Sequence, residues 1–176
     1  MKSSYFTLIF IVLCSCSAIA QKLVLEEATV NFKVKNAGFW VNGYFDDVKA
    51  EMEFQQSKCR IKKLNGKLKV ASIHTGISLR DEHLKNDDYF DIEQYPEISL
   101  ELLYCEAQNG KSLDTVFKLI IKNVEREIHI PLTMERDLNR ILVSADFEIN
   151  RQDFGIGGDS LTLANEVEVS IAASFK

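Results

Sequence analysis

Along most of the chain, apolar side chains occupy every second position. Val30, Phe32 and Val34 alternate with Asn31, Lys33 and Lys35. Met52 and Phe54 alternate with Glu51, Glu53 and Gln55, and Leu64, Gly66, Leu68 and Val70 with Asn65, Lys67 and Lys69. The same rhythm returns in Ile98 to Tyr104, Phe117 to Ile121, Ile128 to Met134, Ile141 to Ile149 and Val167 to Phe175. A period of two puts successive side chains on opposite faces of a strand. Each run therefore has one apolar and one wet face, the habit of antiparallel sheets. Eight strands are predicted, near 23–35, 39–56, 60–74, 96–107, 114–123, 126–136, 140–150 and 165–176. Asn36-Ala37-Gly38, Asn109-Gly110-Lys111 and Asp137-Leu138-Asn139 supply turns between them. Asn42-Gly43 predicts a bulge or bend inside the second strand. Pro131, which has no N–H to donate, predicts an edge or bulge position. Helices do not alternate with the strands, which excludes a parallel doubly wound sheet.

One segment breaks the rhythm. Ser78 is a candidate helix cap with Asp81 three residues on, which predicts about two helical turns over 79–86, ended by Asp87 and Asp88. Tyr89, Phe90 and Tyr95 would anchor this segment. The expected fold is all-β: a single antiparallel eight-stranded lipocalin-like barrel with a short helical insertion near residues 79–90. Closure removes the sheet edges, and a barrel of this strand number holds either packed side chains or one ligand. Strands of about ten residues, tilted by about 40°, give a barrel about 25 Å deep, a shape suited to a chain-like apolar molecule. The expected lining is Phe32, Trp40, Phe45, Met52, Phe54, Leu68, Val70, Leu100, Leu102, Phe117, Leu119, Phe147 and Phe154. Alternation alone fits a filled core equally well. It also fits a membrane barrel, but Lys- and Glu-rich polar faces and unclustered aromatics argue against that.

Charge and the amino terminus refine the picture. The chain has 176 residues and a net charge of −5, and an acidic chain is a poor partner for nucleic acid. Lys2, the apolar stretch from Tyr5 to Leu13 and Ala18-Ile19-Ala20 read as a cleaved secretory signal over residues 1–20, with the barrel domain over 21–176. The apolar stretch is shorter than the ~20 residues of a spanning helix. Leu13-Cys14-Ser15-Cys16 also resembles a lipobox, which would anchor the chain through a lipid on Cys16. Either route predicts a periplasmic or secreted protein. Cys59 and Cys105 remain after cleavage and form a disulfide or two buried thiols.

The most specific stretch is Ser72-Ile73-His74-Thr75, Arg80-Asp81-Glu82-His83-Leu84, Asp88-Tyr89-Phe90-Asp91 and Tyr95-Pro96, followed by Arg151-x-Asp153-Phe154-Gly155-Ile156-Gly157. This combination resembles the YceI-like family across nearly all of 23–176. The family's glycine-containing hairpin is only loosely kept at 117–126, which leaves the local turn geometry there open. The resemblance implies a secreted lipocalin-like barrel that carries an isoprenoid, quinone-like or fatty lipid. With no CxxC, HExxH or Cys/His cluster in the chain, no cofactor, metal or catalysis is expected; membrane contact is expected only for lipid exchange or through Cys16, and a homodimer is left open.

Arg80, Asp81 and His83 are the signature residues. They either touch a head group at the barrel mouth or pin the helix over the barrel end. His74 and His129 read as surface residues. His74, Asp81 and His83 with Ser72 or Ser78 could be drawn as a triad or a metal site, but no nucleophile elbow or ligand spacing accompanies them. Gly155-Ile156-Gly157-Gly158 predicts a turn with unusual backbone angles.

Overall fold

The computed structural model describes residues 20–55, 60–107 and 111–176. Strand β1 (Gln21–Asn36) turns at Ala37 and Gly38, both at positive φ, into β2 (Phe39–Phe45), and β3 (Val48–Gln55) follows. Then come β4 (Arg60–Lys69), β5 (Ile73–His74), the helix α1 (Ser78–Leu84), β6 (Glu97–Ala107), β7 (Ser112–Ile121), β8 (Val124–Asp137), β9 (Arg140–Asn150) and β10 (Leu163–Phe175). Each neighbour pairs antiparallel, and β10 returns to pair with β1, which closes the sheet. β2 and β3 both lie along β1, at Val30 to Asn36 and Gln21 to Val24, and make one stave. β4 and β5 make the next, so ten strands build eight staves.

The two broken staves correct the expected geometry. No bulge falls at Asn42 and Gly43, where β2 keeps an unbroken register with β1. The break lies instead at Asp46 and Asp47, opposite a 3₁₀ turn at Val70–Ser72. Ser72 Oγ bridges the two breaks: it accepts from Asp47 N (3.1 Å) and donates to Lys69 O (2.7 Å). Gly43 has a different purpose. A Cβ there would lie 2.2 Å from Phe32 Cζ, so the glycine leaves room for the Phe32 ring across the strand pair.

Pro131 meets its expected edge. The β8–β9 ladder begins at Leu132 with Ala145, directly after the proline. Lys122 and Asn123, at φ of 50° and 63°, make the tight β7–β8 turn without glycine. Lys122 Nζ then donates to Asp87 O (2.9 Å) and Gly155 O (3.3 Å), tying that turn to the segments above it. The helix starts with Ile77 at its N-cap position and no side-chain cap, so Ser78 does not play that part. Asp81 is engaged elsewhere, as shown below.

Alternation resolves into a filled half and a lined half. At the end where the chain enters and leaves the barrel, Met52, Phe54, Leu113, Ile141 and Phe175 pack into one cluster. Thr115, buried there, donates its hydroxyl to Ile130 O. Nearer α1 a second cluster joins Val30, Phe45, Leu68 and Ile73 to Leu84 and Phe90. A third joins Leu119, Ile121, Phe154 and Ile156. Outside, ion pairs step across the staves: Lys63–Glu51, Lys67–Glu97, Lys118–Glu101 and Lys33–Glu168. A bilayer-spanning barrel turns an apolar band outward, and this barrel turns charge outward.

Candidate functional site

Above the packed cluster the staves enclose a cavity of about 400 Å³, walled almost wholly by apolar side chains. Phe117 forms part of its floor, and Phe32, Phe45, Leu68, Leu100, Leu119 and Phe147 stand in its wall as the alternation predicts. The remaining expected lining residues sit elsewhere. Met52 and Phe54 point inward but lie in the filled end, with Leu102 packed against the same cluster. Phe154 is buried behind the wall against Leu119 and Ile121, and Val70 is buried in the 3₁₀ turn. Trp40 is on the outer face. Without a bulge in β2, Val41, Gly43 and Phe45 face in and Trp40 must face out. Its ring lies under the ammoniums of Lys33 (5.2 Å) and Lys35 (4.8 Å).

The mouth is built by the segment 75–95 and the loop 151–163. Thr75 is its first hub. Its N–H and its hydroxyl both donate to Asp81 Oδ1, at 2.8 and 2.5 Å. Arg80 Nε donates to Thr75 Oγ1 and Nη2 to Thr75 O, both at 2.7 Å. The signature pair therefore fastens α1 to the end of β5, while the Arg80 side chain also borders the cavity. His83 borders it too and packs edge-on against Tyr89, with ring centres 5.0 Å apart. His74 stays outside, stacked on Tyr44 and bonded to Asp46 (3.0 Å), and His129 is exposed.

The second hub is Arg151, a motif residue to which sequence reasoning assigned no part in the site. It is 3% exposed. All five guanidinium N–H donors are used: on the carbonyls of Ala164, Ile156, Gly158 and Leu163, and on Asn165 Oδ1. That fork holds the loop in a shape Gly155, Gly157 and Gly158 permit, with φ of 64°, 69° and 48°. Gly157 N donates to Asp88 O (2.8 Å), so the two halves of the mouth are tied together. Among the described residues, no Asp or Glu side chain lines the cavity, whereas Arg80 and Arg151 border it.

The model of the YceI-like domain matches residues 22–175. The chain belongs to the YceI-like family. The UPF0312 protein of Pseudomonas savastanoi pv. phaseolicola is 28% identical over 144 residues, covering 78% of this chain and 75% of that one. BcnA of Burkholderia cenocepacia superposes with a TM-score of 0.79 at 20% identity, over 84% of this chain and 95% of the other. A polyisoprenoid binding domain from Saccharophagus degradans superposes with a TM-score of 0.70 at 16% identity, over 88% and 97%. These YceI-like neighbours share the closed eight-stave barrel. Cys105 is buried in β6, while Cys59, with which it forms either a disulfide or a pair of separate thiols in the sequence reading, lies outside the described residues, as do residues 1–19 with Cys16.

Proposed function

We propose that this protein carries one long-chain isoprenoid or similar amphiphilic lipid in the upper half of its barrel, in the periplasm or outside the cell. The observation that carries the reading is the apolar cavity of about 400 Å³ above a closed floor, within the size range of ligand sites, roughly 300–1,000 Å³. An apolar chain is held there by burial, at about 25 cal/mol for each Å² removed from water. Arg80 at the rim, with no carboxylate beside it in the cavity wall, favours a head group bearing oxygen acceptors or negative charge. The fold relationship to a polyisoprenoid binding domain supports the same ligand class.

The reading contains no catalytic step. Thr75, Arg80 and Asp81 satisfy one another, and His74 and His83 have separate surroundings. Native mass spectrometry of protein stripped with organic solvent and re-exposed to a polyprenol tests it. A single lipid retained per chain is the expected result; a protein that neither arrives with a lipid nor takes one up contradicts the proposal.

A further inference from the structure

The mouth of the cavity carries exposed apolar side chains on three separate turns. Phe39 (78% exposed) opens β2 beside the β1–β2 turn, with Trp40 next to it. Leu161, fully exposed, stands alongside, because Ala37 N donates to Thr162 O (2.8 Å) and Asn36 pairs with Leu163. β5 pairs with β2 at Phe45 and then Tyr44, so the chain climbs from His74 toward the Phe39 end. It delivers Ile77 and Leu79 there, and Leu79 is 82% exposed. These residues do not support the fold's interior. They cost solvation, and they rim the end at which the described cavity opens.

We infer that this rim is a docking surface for a phospholipid bilayer, which seats the cavity mouth on the membrane. Three observations select a bilayer over a protein. The apolar groups project from separate turns around an opening, whereas protein interfaces rest on one close-packed core. The opening leads into an apolar cavity, so whatever covers the rim must pass an apolar molecule. The flank of the rim is Trp40 beneath Lys33, whose ammonium is paired with Glu168, and Lys35, whose ammonium is placed to meet a lipid phosphate; an aromatic ring with lysines is the composition of side chains at a membrane interface. The reason for docking rests on the lipid-carrier reading, but the contact can be measured independently of it.

Trp40 is the single tryptophan of the chain and lies on the flank of the rim, so it reports the contact itself. The purified protein is titrated with unilamellar vesicles of phosphatidylcholine and phosphatidylglycerol, and Trp emission and co-sedimentation are followed. The expected result is a blue shift with vesicle-bound protein. A Phe39→Ser/Leu161→Ser double variant, altered only at exposed positions, should melt like the parent. It should partition about tenfold or more weakly, the weight of burying such side chains, and still take up polyprenol from ethanol solution. Leu138→Ser, in the β8–β9 turn at the opposite end, should change nothing. No shift on vesicles overturns the inference, as does a double variant that binds like the parent or a Leu138→Ser that binds as weakly as the double variant. Vesicle-independent dimers that the rim variants dissolve would overturn it in favour of a second copy. Lipid uptake without vesicle binding would sink the docking surface alone; vesicle binding without uptake would sink the carrier reading alone.

Discussion

Filling the cavity from Gly66 should stabilise the protein and disarm it in one step. Gly66 sits in β4 between Ala50 and Leu100, all three in the cavity wall. A Cβ built on it meets only Lys49 O, at 4.0 Å, so a side chain can enter the cavity without displacing backbone. A Gly66→Phe change removes a glycine from a strand, worth about 0.5–1 kcal/mol, and buries a Phe, worth about 1.5–3 kcal/mol. The lipid-free protein should therefore gain roughly 2–4 kcal/mol. At a urea slope of about 2 kcal/mol/M this is a midpoint rise of about 1–2 M. Both proteins must be delipidated first, because a bound ligand stabilises the parent by mass action. Lipid uptake and ligand-dependent stabilisation should both fall away. A filled barrel predicts the opposite sign, since overpacking costs about 1–3 kcal/mol. A lowered midpoint together with undiminished uptake would refute the reasoning.

Other outcomes follow from single contacts. Gly43→Ala should push the Phe32 ring off its seat and cost about 1–3 kcal/mol in urea denaturation, with weaker lipid uptake. Arg151→Lys cannot reproduce a five-bond fork and should lower stability by about 3 kcal/mol or more, read by the same denaturation curve. Thr75→Val leaves Arg80 Nε without its acceptor and takes one of two donors from Asp81 Oδ1, which keeps the backbone N–H of residue 75. It should cost about 1–3 kcal/mol and raise hydrogen exchange across α1 before the rest of the barrel. In acid, the Lys69 ammonium bonded to Asp47 holds that carboxyl below its ordinary 3.8, and Lys63 holds Glu51 below 4.5. Carboxyls depressed in the folded state contribute stability that is full above those ordinary values and lost as pH falls through the lower folded ones. The melting temperature should therefore drop below about pH 4, and less so in an Asp47→Asn/Glu51→Gln variant.

Architecture was largely legible from the sequence because alternation reports burial directly. All eight staves lie within a few residues of where the pattern puts them, and Pro131 meets its edge. What alternation cannot report is depth. Phe117 and Met52 both face inward, yet Phe117 borders the cavity and Met52 lies in the filled end. Trp40 shows how one local error propagates. A bulge assumed at Asn42 and Gly43 switches the parity of every residue before it, and only that switch sends Trp40 and Phe45 to the same face. The glycine instead answers a cross-strand ring, which no short-range signal reveals. Arg151 was illegible for another reason: composition places arginine outside, and its partners are mostly carbonyls of a loop that closes only in three dimensions. A signal was present in the glycines that follow it, since a turn with several positive φ values leaves carbonyls to be satisfied.

The most direct test of the central claim is a crystal structure of the protein loaded with a polyprenol. It should show one chain of density rising from the Phe117 floor past Leu68 and Phe147, with its polar end beside Arg80. Side chains collapsed into that space, or lipid bound only on the outer face, would contradict the account.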